Sequence, residues 1–358
     1  MSSIIITIIV IGVLVVAHEF GHFIVAKKSG IWVQEFSVGM GPKLISRQKG
    51  ETEYSLRLLP LGGFCRMEGE AEDGAEPSPR SFVNKSLGVR MAVMAAGPMM
   101  NFILALVMIF GLTCTSYMAE PVINTVMEDS PAEAIGLTEG DEILRLNGKK
   151  IHIYDEVQNM LMQNGKDPVE LEIKRDGEVY TYQVTPKFNE ERGVYLVGIT
   201  PKLATGILAD PEEGFEKAGF FETVHYSFFA MMNYVKMTAE GLLRVFTFTA
   251  SSDEYGGPIA IAKIVGDSYE TGLQYSLAAA IQNVVYIAAV LSANLGVLNL
   301  FPIPALDGGK LLFLIIEAFR GKPMKPETEG RFYFLGFVFL IGFMIFVLFG
   351  DIVKLFVH

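Results

Sequence analysis

The sequence predicts a polytopic α-helical membrane protein with about four transmembrane helices, a small cytoplasmic β-region and an inserted extracytoplasmic α+β domain. Hydrophobic residues make up 51% of the chain and mean hydropathy is +0.37, which is high for a soluble enzyme. The apolar residues fall in long stretches with basic residues beside their ends. A long acidic segment with strand and turn signals separates the first two stretches from the later ones.

Four stretches can supply the spans, because a helix of about 20 residues crosses a bilayer core of about 30 Å. We expect the first two spans at about 4–27 and 91–118. The region from 278 is expected to hold a kinked span and a final span at about 332–350. The sequence leaves open whether the kinked region is one span plus a partial helix. The predicted domains are a membrane core at 1–118, an inserted domain at 119–205, an amphipathic membrane-surface helix with a connector at 206–277, and a second part of the core at 278–358.

Charge gives the expected orientation, because short basic flanks mark the cytoplasmic side of spans. Residues 27–90 carry ten Lys and Arg, four of which lie close to the first two spans. Another basic cluster lies at 320–331, before the last span. We therefore expect the loop 27–90 in the cytoplasm, and both termini and the acidic segment 119–277, with a net charge of −13, outside. An acidic exterior argues against nucleic-acid binding.

Two regions between the spans have clear local patterns. The β-region at 31–67 contains short alternating runs bounded by glycine and proline turns, which predicts strands. An edge strand there can bind an extended peptide by β-addition, or the region can simply cover the cytoplasmic face. Residues 221–249 have apolar positions at helical spacing. They predict an amphipathic helix that lies in the outer interface or packs on the inserted domain. The predicted short strands are Val33–Val38, Leu44–Gln48, Tyr54–Leu58 and Phe64–Met67.

The inserted domain has a specific motif. Ser130-Pro131-Ala132 precedes the run from Gly136 to Gly148, which has the form GLxxGDxIxxxNG. The order of strand, short helix, glycine turn, strand and Asn-Gly hairpin closely resembles a PDZ domain. The resemblance implies that 119–205 is PDZ-like, and PDZ domains bind extended peptides at a sheet edge.

The first span contains His18-Glu19-Phe20-Gly21-His22. Two histidines four residues apart lie on one face of a helix and can hold one Zn²⁺, and the glutamate can reach an activated water molecule as a general base. Ionisable groups inside a span cost several kcal/mol and persist mainly where they function. A buried polar pair that packs two helices is the alternative, but it needs neither this spacing nor Glu19.

A hydrolytic zinc site needs a third protein ligand and an open position. Asp307 is the only other acid deep in an apolar stretch, apart from Glu317 near the basic loop. Two prolines before it and two glycines after it break the helix, and broken backbone at membrane depth is tolerated where it lines a cavity. Counted at 1.5 Å per residue from the outer boundary, His18 and Asp307 lie at comparable depth. Asp307 is therefore the expected third ligand.

These residues resemble those of the site-2 protease family of intramembrane zinc proteases, in its bacterial, RseP-like branch. The shared features are HExxH in the first span, the NxxPxPxLDGG run at Asn299–Gly309 and a PDZ-like domain between them. Two weaker marks are Ala96–Phe102 and Gly256–Ile259. The chain departs from the two-PDZ members by having a single PDZ-like unit.

The resemblance implies an enzyme of the bacterial cell membrane that cuts single-span proteins already trimmed outside, such as anti-sigma factors or remnant signal peptides. It implies His18, His22 and Asp307 as Zn²⁺ ligands, Glu19 as the catalytic base and Asn299 as a substrate contact. The expected partners are such substrates and the lipid bilayer. The alternatives are a metal transporter, which would not need Glu19, and an inactive PDZ scaffold, which would lose the metal ligands.

Overall fold

The computed structural model describes residues 2–70, 78–190, 193–209, 215–247, 249 and 256–357. The segment 68–80, which is acidic and contains Pro and Ser, is expected to be a flexible loop, and most of it lies outside the described residues. The chain forms two compact units, one from Met1–Met108 with Tyr234–His358 and one from Ile109–Asn233. The helices are α1 (Ser2–Lys28), α2 (Leu87–Thr115), α3 (Pro131–Ala134), α4 (Tyr154–Asn164), α5 (Phe220–Phe246), α6 (Pro258–Leu273), α7 (Leu277–Leu300), α8 (Asp307–Arg320) and α9 (Pro326–Val357).

Four of the described helices, α1, α2, α7 and α9, are long and apolar enough to cross a membrane. Helices α1 and α9 contain the predicted spans 4–27 and 332–350, whereas α2 ends at Thr115, before the predicted end at 118, because a strand begins at Tyr117. In the first unit, Val10 and Leu14 of α1 pack with Ala288 of α7 in a buried cluster. At the other end of α1, Ala26 packs with Val93 of α2. Helix α1 therefore contacts both α7 and α2, and the buried His18 and His22 lie between these two contacts along the helix.

The predicted kinked region is two helices, α7 and α8, separated by 301–306. Ala305 in the connection has φ = 78°, a left-handed conformation that costs energy outside glycine. The chain then folds back tightly on α8, since a Cβ on Gly308 would lie 2.2 Å from the carbonyl oxygen of Phe301. Glycine is therefore required by this close approach. The result is that α8 begins at Asp307.

Helix α6 lies in the region predicted as a connector, and its N-terminus is bound by a buried acidic residue of α9. The carboxylate of Asp351, 5% exposed, accepts hydrogen bonds from the backbone N–H groups of Gly257, Ile259 and Ala260 at 2.9, 3.1 and 3.2 Å. It thus satisfies donors that the first turn of a helix leaves unpaired. Asp351 of α9 therefore caps the N-terminus of α6.

The second half of α5 packs within the first unit, an arrangement that neither expectation for this helix included. Thr238 donates a hydrogen bond to Asn294 of α7 at 2.5 Å. Phe246 stacks on Phe301, with ring centroids 5.3 Å apart and planes 6° from parallel. The end of α5 is thereby in contact with the connection that leads to α8.

The β-region consists of two long strands rather than four short ones, β1 (Val33–Lys49) and β2 (Thr52–Met67). Their register shifts repeatedly: residues 33–38 pair with 63–67 and also with 53–56, while 43–49 pair with 52–57. The four predicted runs thus correspond to the straight parts of two bent strands. Residues 33–38 pair on both sides, so they form the middle of this sheet, and residues 63–67 form one of its outer edges.

The surface of this sheet is unusually apolar. Large exposed side chains occur along both strands, and contiguous apolar surface normally marks contact with lipid or protein. A β-region exposed only to water does not account for this surface. The side chains concerned are Met40, Leu44, Ile45, Leu56, Leu58 and Leu59.

The second unit contains the inserted sheet. Its strand order is β11-β10-β3-β4-β6-β7, with β5 paired to β4. Its hydrophobic core includes Ile123, Ile143, Val157 and Leu171 from three strands and α4. The strands are β3 (Tyr117–Val126), β4 (Glu142–Leu146), β5 (Lys149–Lys150), β6 (Val169–Arg175), β7 (Glu178–Val184), β8 (Lys187–Asn189), β9 (Val194–Leu196), β10 (Ile199–Thr205) and β11 (Glu216–Lys217).

The order of elements from β3 to β5 is the one predicted for the PDZ-like run. Ser130 caps α3 by accepting a hydrogen bond from the Glu133 N–H. A buried ion pair joins the glycine turn to β6: Asp141 accepts hydrogen bonds from two Arg175 nitrogens, both at 2.7 Å. Burial alone would raise the pKa of Asp141, but Arg175 and the Thr138 N–H hold that pKa below its usual value.

Candidate metal centre

His18 and His22 lie one turn apart on α1, which places both rings on the same face of the helix. Both residues are buried, at 8% and 5% exposure. Asp307, in the first turn of α8, reaches them with one carboxylate oxygen. Its Oδ2 lies 3.0 Å from His18 Nε2 and 3.2 Å from His22 Nε2. The structure therefore brings together residues that are far apart in the sequence, since 289 positions separate His18 from Asp307.

The spacing of these three atoms fits a metal ion. The two histidine Nε2 atoms are 3.2 Å apart, and all three ligand atoms lie within 4.8 Å of one another. Ligand atoms about 2.0–2.1 Å from one tetrahedral zinc ion are about 3.3 Å apart, which is close to these distances. Within the described part of the chain, this is the one cluster of three such ligands.

The chemistry of the ligand atoms leads to the same conclusion. His22 Nδ1 lies 2.8 Å from the backbone oxygen of Val93. A carbonyl oxygen has no proton to give, so Nδ1 donates and the Nε2 of a neutral His22 carries a lone pair. That lone pair faces the Nε2 of His18 and a carboxylate oxygen. A metal ion bound between these atoms, or a proton on one of them, satisfies the carboxylate and the lone pair of His22 in this buried site.

Helix α2 forms the back of the centre and approaches α1 very closely. A Cβ on Gly21 of α1 would lie 2.2 Å from the backbone oxygen of Ala96, and a Cβ on Gly97 would lie 2.3 Å from His22 Nε2. Any other residue at either position would displace a helix or an imidazole. Gly97 belongs to the weak family mark Ala96–Phe102, which by itself predicts no role for this residue.

Asn101 of α2 was likewise not predicted as a site residue. It is fully buried, and its amide nitrogen lies 3.1 Å from His18 Nδ1. It was quoted in the same family mark as Gly97, so a signal was present. The sequence gives no indication that it contacts His18, because the two residues are 83 positions apart.

Glu19 lies beside the cluster, with strand β2 passing next to it. A Cβ on Gly63 would lie 3.6 Å from Glu19 Cγ. This residue belongs to the outer edge of the small sheet, so that edge runs past the glutamate. The arrangement provides a proton acceptor next to a metal-binding group.

Asn299 lies in the last turn of α7, eight residues before Asp307, and is half-buried. It precedes the connection that turns the chain towards α8. Two histidines that were not predicted as ligands, His152 and His225, lie in the second unit. They pack with Phe229 in an aromatic cluster.

Comparison with protein families gives one match over nearly the whole chain. The family described as peptidase family M50 matches residues 6–343. A Clostridium perfringens protein that carries a provisional name as a zinc metalloprotease is 40% identical over 98% of both chains. The zinc metalloprotease RasP of Geobacillus kaustophilus is 31% identical over 99% of both chains. The regulator of sigma-W protease RasP of Bacillus subtilis is 30% identical over 99% of both.

Among solved structures, one similarity is to the PDZ domain of an SdrC-like protein from Listeria monocytogenes. It has 20% identity and a TM-score of 0.22, and it covers 23% of this chain and 87% of that chain. A second is to a domain of another Listeria protein, also at 20% identity and with a TM-score of 0.21.

Proposed function

The chain belongs to peptidase family M50, the site-2 proteases, and is a zinc metalloprotease. From this we propose that it cleaves peptide bonds within or near transmembrane segments. The substrates are single-span membrane proteins already trimmed outside the membrane. The observation that carries the proposal is the convergence of His18, His22 and Asp307 on helices of a membrane protein. Such a cluster in a spanning helix is costly unless it functions.

His18, His22 and Asp307 are the zinc ligands in this proposal. When bound there, zinc supplies Lewis-acid chemistry, which acidifies water and polarises a carbonyl group. The backbone oxygen of Val93 orients His22, since it accepts the Nδ1 proton at 2.8 Å. Asp307 is held at the start of α8 by the tight connection before it. The ligands thus come from α1 and α8, and the close packing of Gly21 and Gly97 sets the distance between α1 and α2.

Glu19 is the general base. Its carboxylate takes a proton from the attacking water and gives that proton to the nitrogen of the departing amine. The residue is in the same helical turn as His18, and the open edge of β2 at Gly63 lies beside it. A proton acceptor between the ligands and an accessible edge suits hydrolysis of an extended peptide.

A transmembrane helix hides its carbonyl groups in hydrogen bonds, so the substrate has to unwind before attack. In this proposal, the edge strand 63–67 binds the unwound segment by β-addition. Asn299 contacts the substrate backbone from the end of α7. The alternative role for the β-region, a cover for one face of the enzyme, would not require an open edge beside Glu19.

The substrate class follows from chemistry and from one relative. The name of the Bacillus subtilis relative refers to regulation of sigma-W, which supports anti-sigma factors as substrates. Remnant signal peptides are a second class with the same single-span form. The basic flanks support a cytoplasmic position for 27–90 and an extracytoplasmic position for the PDZ-like domain in the bacterial cell membrane. The PDZ-like domain then screens the outer part of each substrate.

The test is cleavage of a single-span substrate in reconstituted vesicles. The wild type should cut within the transmembrane segment, while Glu19→Gln should retain zinc and lose cleavage by about 100-fold or more, as expected when a general base is removed. Glu270→Gln, at an exposed position of α6, is the matched control and should behave as wild type. Cleavage by Glu19→Gln at the wild-type rate would refute the assigned base. Cleavage only outside the bilayer would refute the substrate class.

A further inference from the structure

Asn101 has an unusual environment for a side-chain amide. The residue is 0% exposed, and its Nδ2 lies 3.1 Å from His18 Nδ1. Its Oδ1 is buried and receives no hydrogen bond from any residue that the structure describes. A buried polar atom without a partner costs roughly 1–3 kcal/mol, so an Asn at this position needs an explanation.

The proposed role of His18 supplies one. A histidine that binds a metal through Nε2 carries its proton on Nδ1, and that N–H is normally donated to an acceptor. An amide nitrogen does not accept a hydrogen bond, whereas an amide oxygen does. The two ends of an Asn amide have nearly the same shape, and their assignment follows from the hydrogen bonds. Exchanging the two ends puts Oδ1 opposite the Nδ1 proton of His18 and gives the orphaned oxygen its partner.

His22 has the corresponding contact on the same helix. Its Nδ1 faces the backbone oxygen of Val93 at 2.8 Å. Val93, Gly97 and Asn101 are spaced four residues apart, so they lie along one face of α2. Gly97 gives the imidazoles room between the two acceptors. One face of α2 therefore contacts both histidines and leaves both Nε2 atoms directed at Asp307.

We propose that Asn101 is a positioning residue of the zinc centre: its Oδ1 accepts the Nδ1–H of His18 and fixes the ring tautomer whose Nε2 lone pair faces the metal. On the other side of the helix, Ser292 of α7 donates a hydrogen bond to the backbone oxygen of Asn101 at 2.8 Å. This contact joins the backbone of α2 to α7 and does not involve the side-chain amide. This inference rests on the proposed ligand set.

The experiment measures the zinc dissociation constant of the full-length protein in detergent by competition with a chelator. Asn101→Ala removes the acceptor and should weaken zinc binding by about 10–100-fold, the usual effect of removing such a partner. Asn101→Asp keeps an acceptor and should restore most of the affinity. Ser292→Ala is the packing control, because it loosens the contact between α2 and α7 without touching His18, and it should bind zinc as the wild type does.

The outcomes distinguish the role of Asn101 from the ligand assignment. Weaker zinc binding in Asn101→Ala, with rescue by Asn101→Asp and an unchanged Ser292→Ala, supports the proposal. An unchanged dissociation constant in Asn101→Ala, or an equal loss in Ser292→Ala, overturns it. His18→Ala is measured in parallel to separate this from the ligand assignment. If His18→Ala itself binds zinc normally, the ligand set is wrong; if only His18→Ala loses zinc, the ligand set stands and the role of Asn101 is refuted.

Discussion

Gly97 of α2 lies so close to His22 of α1 that a Cβ on Gly97 would be 2.3 Å from the ring Nε2. The same atom would be 2.7 Å from the Nε2 of His18. Real side-chain atoms do not approach this closely, so position 97 must be glycine for both imidazole rings to fit beside α2. The backbone of α2 is thus part of the wall of the metal centre.

Gly97→Ala should abolish zinc binding and cleavage while the protein remains folded. The added methyl group has to displace an imidazole, and a shift of about 1 Å at a reacting group is enough to cost about 100-fold in rate. Gly111→Ala in the same helix is the matched control, because a Cβ there meets nothing within 4 Å. Zinc content by metal analysis and vesicle cleavage are measured for both. Normal zinc content in Gly97→Ala would contradict the geometry given for the centre.

Purified protein should contain close to one zinc ion per chain, since only one ligand cluster is expected. Asp307→Ala removes the ligand that contacts both histidines and should lower zinc affinity and abolish cleavage. Asp267→Ala, at an exposed position of α6, controls for loss of an acidic residue. The measurement is zinc content together with cleavage. Full activity of Asp307→Ala would show that another residue is the third ligand.

The buried pair of Asp141 and Arg175 predicts a pH dependence for the inserted domain. The folded pKa of Asp141 is lowered, so its stabilising contribution is present above the unfolded pKa of about 3.9 and is lost as pH falls through the folded pKa. The protection factors of the β4 and β6 amides, corrected for the intrinsic pH dependence of exchange, should therefore fall in acid.

Asp141→Asn should destabilise the same strands at neutral pH by about 3 kcal/mol, because Arg175 loses its ionic partner. The protection factors of its β4 and β6 amides should also depend less on pH in the acid range than those of the wild type. Asp176→Asn, in the exposed turn after β6, is the control. Equal protection of β4 and β6 in Asp141→Asn and wild type would refute a structural role for the pair.

The basic flanks predict the orientation of the chain in the membrane. A cysteine at Glu139 should react with an impermeant maleimide in intact cells, while one at Ser86 should react only after the cells are opened. Both positions are exposed. The native Cys65 and Cys114 are buried and give a low background. The reverse pattern of labelling would overturn the orientation.

The PDZ-like domain should control entry of the substrate rather than the chemistry. The backbone N–H of Gly206 donates to the oxygen of Ser116 at 2.8 Å, so the ends of the segment 117–205 are adjacent and a short flexible linker can replace it. The shortened protein should retain zinc and cut a substrate with a short outer tail. A substrate with a large outer domain should be cut faster than by the wild type. A folded, zinc-bound deletion variant that cuts neither substrate would show that the domain positions substrates.

The predicted family and zinc dependence are confirmed by the match to peptidase family M50 and by relatives named as zinc metalloproteases. These were readable from the sequence because they depend on local patterns. Apolar stretches of spanning length, basic flanks and two histidines at helical spacing each occupy a few adjacent turns. The assignments of His18, Glu19, His22, Asp307 and Asn299 stay predictions until the variants are measured.

The amino-acid sequence alone indicates which segments are long and apolar enough to cross a membrane and which side chains are candidate metal ligands, because hydropathy and helical periodicity are properties of neighbouring residues. The surroundings of those candidate ligands depend on the tertiary structure. The contact of Asn101 with His18, the fit of Gly97 between two imidazoles and the stacking of Phe246 on Phe301 each join distant segments. Such contacts depend on how helices cross, and helix crossing is set by the packing of whole faces, which no local pattern encodes.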